Sequence, residues 1–214
     1  MRHAAFDTSF SATKLSETIR PVLETYLRDY LRDRLKTHCS ITVKWVRETK
    51  IASVFRDSKQ GPSRPVGELE ERDEHYFYQA FYNKVHEQNE MRCLVVHDTN
   101  LQDVPDALRV RASRRRYRSC LALPLNLVFI RKDAPAPSQA RTVVLNLGFL
   151  SIDTVDPDAF RDFFVPLDPN HPMGNRGENH RPKAELHLLY GVADAVATII
   201  AIADGITGGR QAAA

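Results

Sequence analysis

Tyr117-Arg118-Ser119-Cys120-Leu121-Ala122-Leu123-Pro124-Leu125 opens an apolar run that continues to Ile130, and a second run, Thr142 to Asp153, ends on Gly148-Phe149-Leu150-Ser151-Ile152-Asp153. Both are rich in the aliphatic and β-branched residues that strands favour. They are separated by Lys132 to Ala140, with Pro135 and Pro137. The pattern predicts two long strands, 117–130 and 142–153, joined by a loop. The second strand breaks at Asp156-Pro157, a turn or helix start that leads into a short helix through Phe164.

Upstream, Val22, Leu23, Tyr26, Leu27, Tyr30, Leu31 and Leu35 recur at steps of three and four, with charged residues between them, and predict an amphipathic helix from Pro21 to Lys36. Pro21 is tolerated in a first helical turn, which leaves residues 13–20 as either a separate turn or a kinked extension. Two β-branched and aromatic runs follow, Ile41, Val43, Trp45 and then Ile51, Val54, Phe55, joined around Glu48 to Lys50 as a hairpin. Asp57 to Asp73 reads as a loop, Glu74 to Asn89 as a helix, Arg92 to His97 as a buried strand and Asp103 to Arg111 as a short helix.

Downstream, Val165 to Pro182 is a proline- and glycine-bearing loop long enough to act as a lid or to be mobile. A final helix runs from Lys183 to Ile206, and Gly208 and Gly209 end it. Its Leu186, Leu189, Tyr190, Ala193, Ala197, Ile200 and Ala201 form one apolar stripe, which Val192, Val196, Ile199, Ile202 and Ile206 widen past a single face. Such a helix has two sides to bury. One suits the sheet, and the other suits the N-terminal helix or a second subunit, with Gly191, Ala193 and Ala197 small enough for close approach.

The order of elements describes one α/β domain with a central, largely antiparallel sheet flanked by N- and C-terminal helices. The domain is expected over 13–206, with flexible ends at 1–12 and 207–214. The 214 residues, 43% of them hydrophobic, suffice for a buried core. Thirty Lys plus Arg against 27 Asp plus Glu leave a net charge of +3, too small by itself to imply nucleic acid or an anionic membrane. Cys39, Cys93 and Cys120 are far apart, with neither a disulfide framework nor zinc-ligand spacing, and suit a reducing cytoplasm. The first residues lack the apolar run of a signal peptide. The apolar stretch Tyr190 to Ile206 carries Asp194 and Asp204, each costly in hydrocarbon, and is read as a core helix with no membrane partner.

The strand Tyr117 to Leu125 resembles the Arg-Ser-x-x-x-x-Pro strand of GAF domains. Gly148 to Asp153 is similar to the Gly-x-Leu-x-Leu-Asp strand that comes next in that family, Asp156-Pro157-Asp158-Ala159-Phe160 to its turn and short helix, and Leu188-Leu189 through Ala197 to its closing helix. The resemblance covers residues 90–205; before that only the order of elements agrees. It implies a regulatory module with a small-molecule pocket on one side of the sheet and, in many members, dimerisation through terminal helices. It names no ligand or cofactor. Cyclic-nucleotide-binding members carry Asn-Lys, Phe and Asp-Glu where this chain has Ile152-Asp153, Phe160 and Arg161-Asp162-Phe163, so only the Phe survives. Bilin-binding members place a cysteine in pocket loops, whereas Cys120 falls inside a predicted strand and Cys93 opens one. The contexts of the three cysteines do not match the methionine sulfoxide reductases of that fold.

Arg109, Arg111, Arg114, Arg115, Arg116 and Arg118 cluster around Tyr117. Arginine forks suit phosphate groups, so the cluster reads as a site for an anionic small ligand, as a docking surface for protein or nucleic acid, or as a solvated connection paired with Glu68, Glu70, Glu71, Asp73 and Glu74. His171, His180 and Asp168 offer metal-ligand chemistry without a familiar spacing. His97-Asp98 lacks the further histidines of a metal phosphohydrolase, and Ser119 lacks the Gly-x-Ser-x-Gly turn of a nucleophile. No phosphate loop and no His-Glu-x-x-His is present. No catalytic or metal residue is assigned. The ligand-binding candidates are Arg116, Arg118, Ser119 and Asp153, with Arg118 and Asp153 also able to pair with each other. The expected partners are a small ligand, a second copy of the chain joined through the terminal helices, and an output protein. Nucleic acid at the arginine cluster is the alternative.

Overall fold

The two long runs lie side by side in the main sheet, and the other elements are arranged around them. The computed structural model describes residues 8–56, 66–67, 69–75, 77–79, 93–100, 117–130, 142–167 and 180–203. In chain order the elements are α1 (Thr8–Pro21), a π-helical stretch (Val22–Leu27), α2 (Arg28–Leu35), β1 (Cys39–Arg47), β2 (Lys50–Arg56), β3 (Leu69–Glu71), β4 (Leu94–Val96), β5 (Ser119–Ile130), β6 (Thr142–Thr154), β7 (Phe164–Pro166), β8 (His180–Pro182) and α3 (Ala184–Ala203). Short 3-10 turns occupy Arg72–Glu74 and Arg161–Phe163. The main sheet has the order β3-β2-β1-β6-β5-β4, and every neighbouring pair is antiparallel. β7 and β8 form a separate antiparallel pair.

Alternation along the strands divides the sheet into two faces. Ile41, Val43 and Trp45 of β1, Leu150 and Ile152 of β6, Leu121, Leu123 and Leu125 of β5 and Val95 of β4 share one core with the helices. α1 through α2 contribute Leu15, Ile19, Leu23, Leu27 and Leu31, a stripe at steps of four, all at most 2% exposed. Residues 13–20 are therefore a continuation of the helix, which already begins at Thr8 and buries Ala12. Pro21 removes one backbone donor from the ladder, and the chain widens into the π-helical stretch immediately after it.

α3 buries Leu186, Leu189, Ala193, Val196, Ala197, Ile200 and Ala201. Ala193 and Ala197 thus turn inward, while the opposite side holds the exposed Leu188 and Ile202. By length and composition α3 could cross a membrane. Its inner side shares the sheet's core.

Short strands were not foreseen in the segments read as loops. β3 falls within 57–73, and β7 and β8 fall at the two ends of 165–182. Of the helix expected over 74–89, Glu74 instead closes a 3-10 turn and His75 is extended, whereas Phe77 to Gln79 are helical; the helix over 103–111, the loop 132–140 and the tail 207–214 lie outside the described residues.

Gly148 fixes how β6 meets β1. It pairs with Trp45 on one side and Leu125 on the other, and the β5 register then skips Leu147. Its φ of +145° is one that side chains disfavour, and a Cβ built there would lie 1.9 Å from the Lys44 carbonyl oxygen and 3.1 Å from the Trp45 Cα. Both contacts are backbone, so neither can swing away. Gly148→Ala is expected to cost roughly 3 kcal/mol or more in urea unfolding; a loss within about 0.5 kcal/mol, the range of an ordinary surface substitution, would mean that the strands do not cross this closely.

Candidate functional site

The face of the sheet away from the helices is buried but not apolar. In register across it run Ser40, Asp153, Cys120 and Val96, then Thr42, Ser151, Ala122 and Leu94, then Lys44, Phe149 and Pro124. Ser53 pairs with Lys44, and Ile51 with Val46, to extend it onto β2. Thr42, Lys44, Ser53, His75, Ser151 and Asp153 are all buried. Ile51, Phe77, Leu94, Val96, Tyr117, Cys120, Ala122 and Phe149 form the apolar cluster among them. Polar groups out of water cost free energy unless they are answered, so this concentration on one face is its chemical signature.

Lys44 is the only lysine or arginine buried among the described residues, at 2% exposure. Its Nζ donates to Glu70 Oε1. The other carboxylate oxygen of Glu70 lies 3.9 Å from His75 Nε2. Glu70 reaches this position because β3 pairs with β2 in a register that sets it opposite Ile51, on the same face. His75 is placed by the turn before it. The Arg72 amide donates to the Thr49 carbonyl at 2.9 Å, and Arg72 Nη1 donates to the Glu48 carbonyl at 2.7 Å, fastening Arg72–Glu74 to the β1–β2 hairpin. The His75 ring then packs 4.9 Å from Phe149 and 5.9 Å from Phe77, and those two phenyl rings meet edge to face at 5.6 Å.

Arg118, one of the four residues singled out from sequence, grips Asp98 with a two-pronged contact, Nε to Oδ1 at 3.0 Å and Nη2 to Oδ2. Its partner is therefore the carboxylate at the end of β4. Its backbone joins the same corner, with its amide donating to the Thr154 carbonyl at 2.8 Å and its carbonyl accepting from Thr99 at 2.7 Å. Ser119 is fully buried and its hydroxyl donates to the Asp156 carbonyl at 2.7 Å. Alternation sets Ser119 with Leu121, on the helix side, and Asp153 on the other side, so the two are not brought together. Arg116, with Arg109, Arg111, Arg114 and Arg115, lies outside the described residues. Of the acids proposed to pair with that cluster, Glu70 meets Lys44, Glu71 meets Lys50 and Asp73 meets Arg72.

Burial, aided by the nearby Asp153 and Asp156 carboxylates, pushes the Cys39 thiol up to about 12. Burial likewise pushes Cys93 up to about 11. Both are protonated at neutral pH and are poor nucleophiles there. Among the described residues no group of three or more His, Cys, Asp or Glu side chains could hold a metal ion; Asp168 and His171 lie outside them. Sequence reading passed over Lys44 and His75. The available signal was a lysine between Val43 and Trp45, at an alternate position of a strand otherwise read as buried.

No family model and no curated protein matches this chain. Solved structures do. A far-red cyanobacteriochrome photoreceptor aligns over 87% of each chain with a TM-score of 0.51 at 11% identity. The PixJ GAF-domain of Thermosynechococcus elongatus aligns over 95% of this chain and 93% of its own, with a TM-score of 0.48 at 10% identity. A type II free methionine-R-sulfoxide reductase from Thermoplasma acidophilum aligns over 87% and 94%, with a TM-score of 0.46 at 12% identity. The fold is an α/β GAF-like one, as the strands 117–130 and 142–153 implied.

The hydrogen bonds from Arg118 hold Asp98 below the usual carboxylate range, helped by the Asn100 amide. A group depressed in this way stabilises the fold above its unfolded value and loses that contribution as pH falls through the folded one. In Arg118→Met, the Asp98 carboxyl followed by NMR is expected to titrate at higher pH than in the wild type. An unchanged midpoint would mean that the fork is not formed in solution.

Proposed function

We propose that this chain is a non-catalytic regulatory module of the cytoplasm that senses a small ligand on the sheet face opposite the helices and passes the signal to a partner protein. The observation that supports this most directly is the composition of that face: six buried polar side chains, Thr42, Lys44, Ser53, His75, Ser151 and Asp153, beside an apolar cluster. A ligand site combines apolar walls with a few placed polar groups in this way. Asp153 remains a candidate contact. Arg118 and Ser119 are assigned to holding the β4–β5 corner, by their bonds to Asp98 and Asp156.

The module is also read as a homodimer joined through its terminal helices. Leu188 and Ile202 on the outer side of α3 are 51% and 66% exposed, and Tyr26 on the N-terminal helix is 70% exposed. Burying such apolar surface is favourable at about 25 cal/mol per Å², less the cost of association.

Two measurements check these readings. A melting screen of nucleotides, cyclic nucleotides and common metabolites is expected to find a compound that raises the melting temperature, since a ligand of the folded state stabilises it by mass action; if none does, the sensing role fails and salt-sensitive docking of nucleic acid or protein at the arginine cluster takes its place. In light scattering, the wild type is expected at twice the chain mass and Leu188→Glu/Ile202→Glu at the mass of one folded chain. A wild type that is already monomeric at micromolar concentration would rule out the dimer.

A further inference from the structure

The buried ammonium of Lys44 is stabilised by an anion beside it, and Glu70 supplies one from an edge of the sheet. Lys44 sits in the interior of β1, paired by β2 on one side and β6 on the other, with its side chain 2% exposed. Glu70 belongs to β3, an edge strand of three residues whose flanking Leu69 and Glu71 are exposed, and its side chain keeps 21% exposure. The cation is fixed, and the carboxylate is the partner that solutes can reach. Withdrawing one charge from a buried pair is strongly unfavourable, and an arriving anion that takes the place of Glu70 avoids that cost.

We infer that Glu70 is an internal placeholder: the site takes a carboxylate or phosphate group, which pairs with Lys44 in place of Glu70. This rests on the proposed ligand face and gives that face a charge requirement, because a neutral or cationic molecule cannot stand in for the carboxylate. His75, 3.9 Å from Glu70, stands close enough to contribute a donor to the same anion. Phe149 and Phe77, packed on His75, supply an apolar wall for the body of the ligand.

The test uses Glu70→Gln, which keeps the shape and removes the charge. In sodium chloride its melting temperature is expected to fall on the order of 10 °C. Acetate or inorganic phosphate at matched ionic strength and roughly tens of millimolar should restore at least half of that loss. Glu70→Asp, a milder change that preserves folding, should respond to the same anions with smaller amplitude, and Lys44→Met/Glu70→Gln should not respond. Melting temperatures that are equal in the three salts for both Glu70 variants, or a response that survives the loss of Lys44, would overturn the inference. A neutral compound that stabilises the wild type, with both variants indifferent to anions, overturns the placeholder alone and leaves the sensing role standing. Anion-dependent variants with a wild type that no compound stabilises support the anion site and remove the sensing role.

Discussion

Lys44 constrains the sheet twice, once through its backbone and once through its side chain. Its carbonyl stands so close to Gly148 that no Cβ fits between them, and this close passage seats β6 against β1. Its ammonium lies out of water on the face away from the helices, where it meets the carboxylate of Glu70. The first requirement explains a glycine with positive φ inside a long central strand. The second sets an acidic side chain of a three-residue edge strand against the buried ammonium. β3 is also held by its backbone pairing with β2 and by the contact between Lys50 and Glu71.

The two faces divide the work of the molecule. On the helix side, aliphatic rows from β1, β4, β5 and β6 meet the stripes of α1, α2 and α3, and burial of that surface is the main source of stability. On the other side, hydroxyls, an ammonium, an imidazole and a carboxylate are kept among aromatic and aliphatic neighbours. Buried polar groups seldom improve stability over well-packed apolar ones of the same size. Six such residues, Thr42, Lys44, Ser53, His75, Ser151 and Asp153, share this one face. The corner at Arg118, Asp98, Thr99 and Asp156 joins the two regions by hydrogen bonds and holds the ends of β4 and β5 at the rim of that face.

Much of the fold was legible because its strongest elements carry local signals. β5 and β6 are long aliphatic runs, the β1–β2 hairpin alternates, and α3 is apolar over five turns, so their order and antiparallel arrangement could be read directly. β3 could not. Leu69-Glu70-Glu71 has no alternation or β-branching, and its pairing is imposed by the neighbouring hairpin rather than by its own composition. The start of the first helix was read late because Pro21 marks a helix start in sequence, whereas here the helix passes through it and widens. The site was less legible than the fold. Asp153 falls on the polar face as a strand position, but the fork between Arg118 and Asp98 and the contact between Lys44 and Glu70 join residues far apart in the chain, and one sequence does not encode such meetings visibly. Arginines in a row drew attention by density. A single lysine in a strand otherwise read as buried did not.

The claim on which the rest turns is that ligands bind on the face carrying Lys44, and methyl-labelled NMR with benzoate, a carboxylate with an apolar body, tests it most directly. The methyl signals of Ile51, Leu94, Val96 and Ala122 lie on that face, and those of Leu121, Leu123, Leu150 and Ile152 lie under the helices. Benzoate is expected to move the first group in a saturable way and to leave the second in place. Shifts confined to the second group, or none in either, would contradict it.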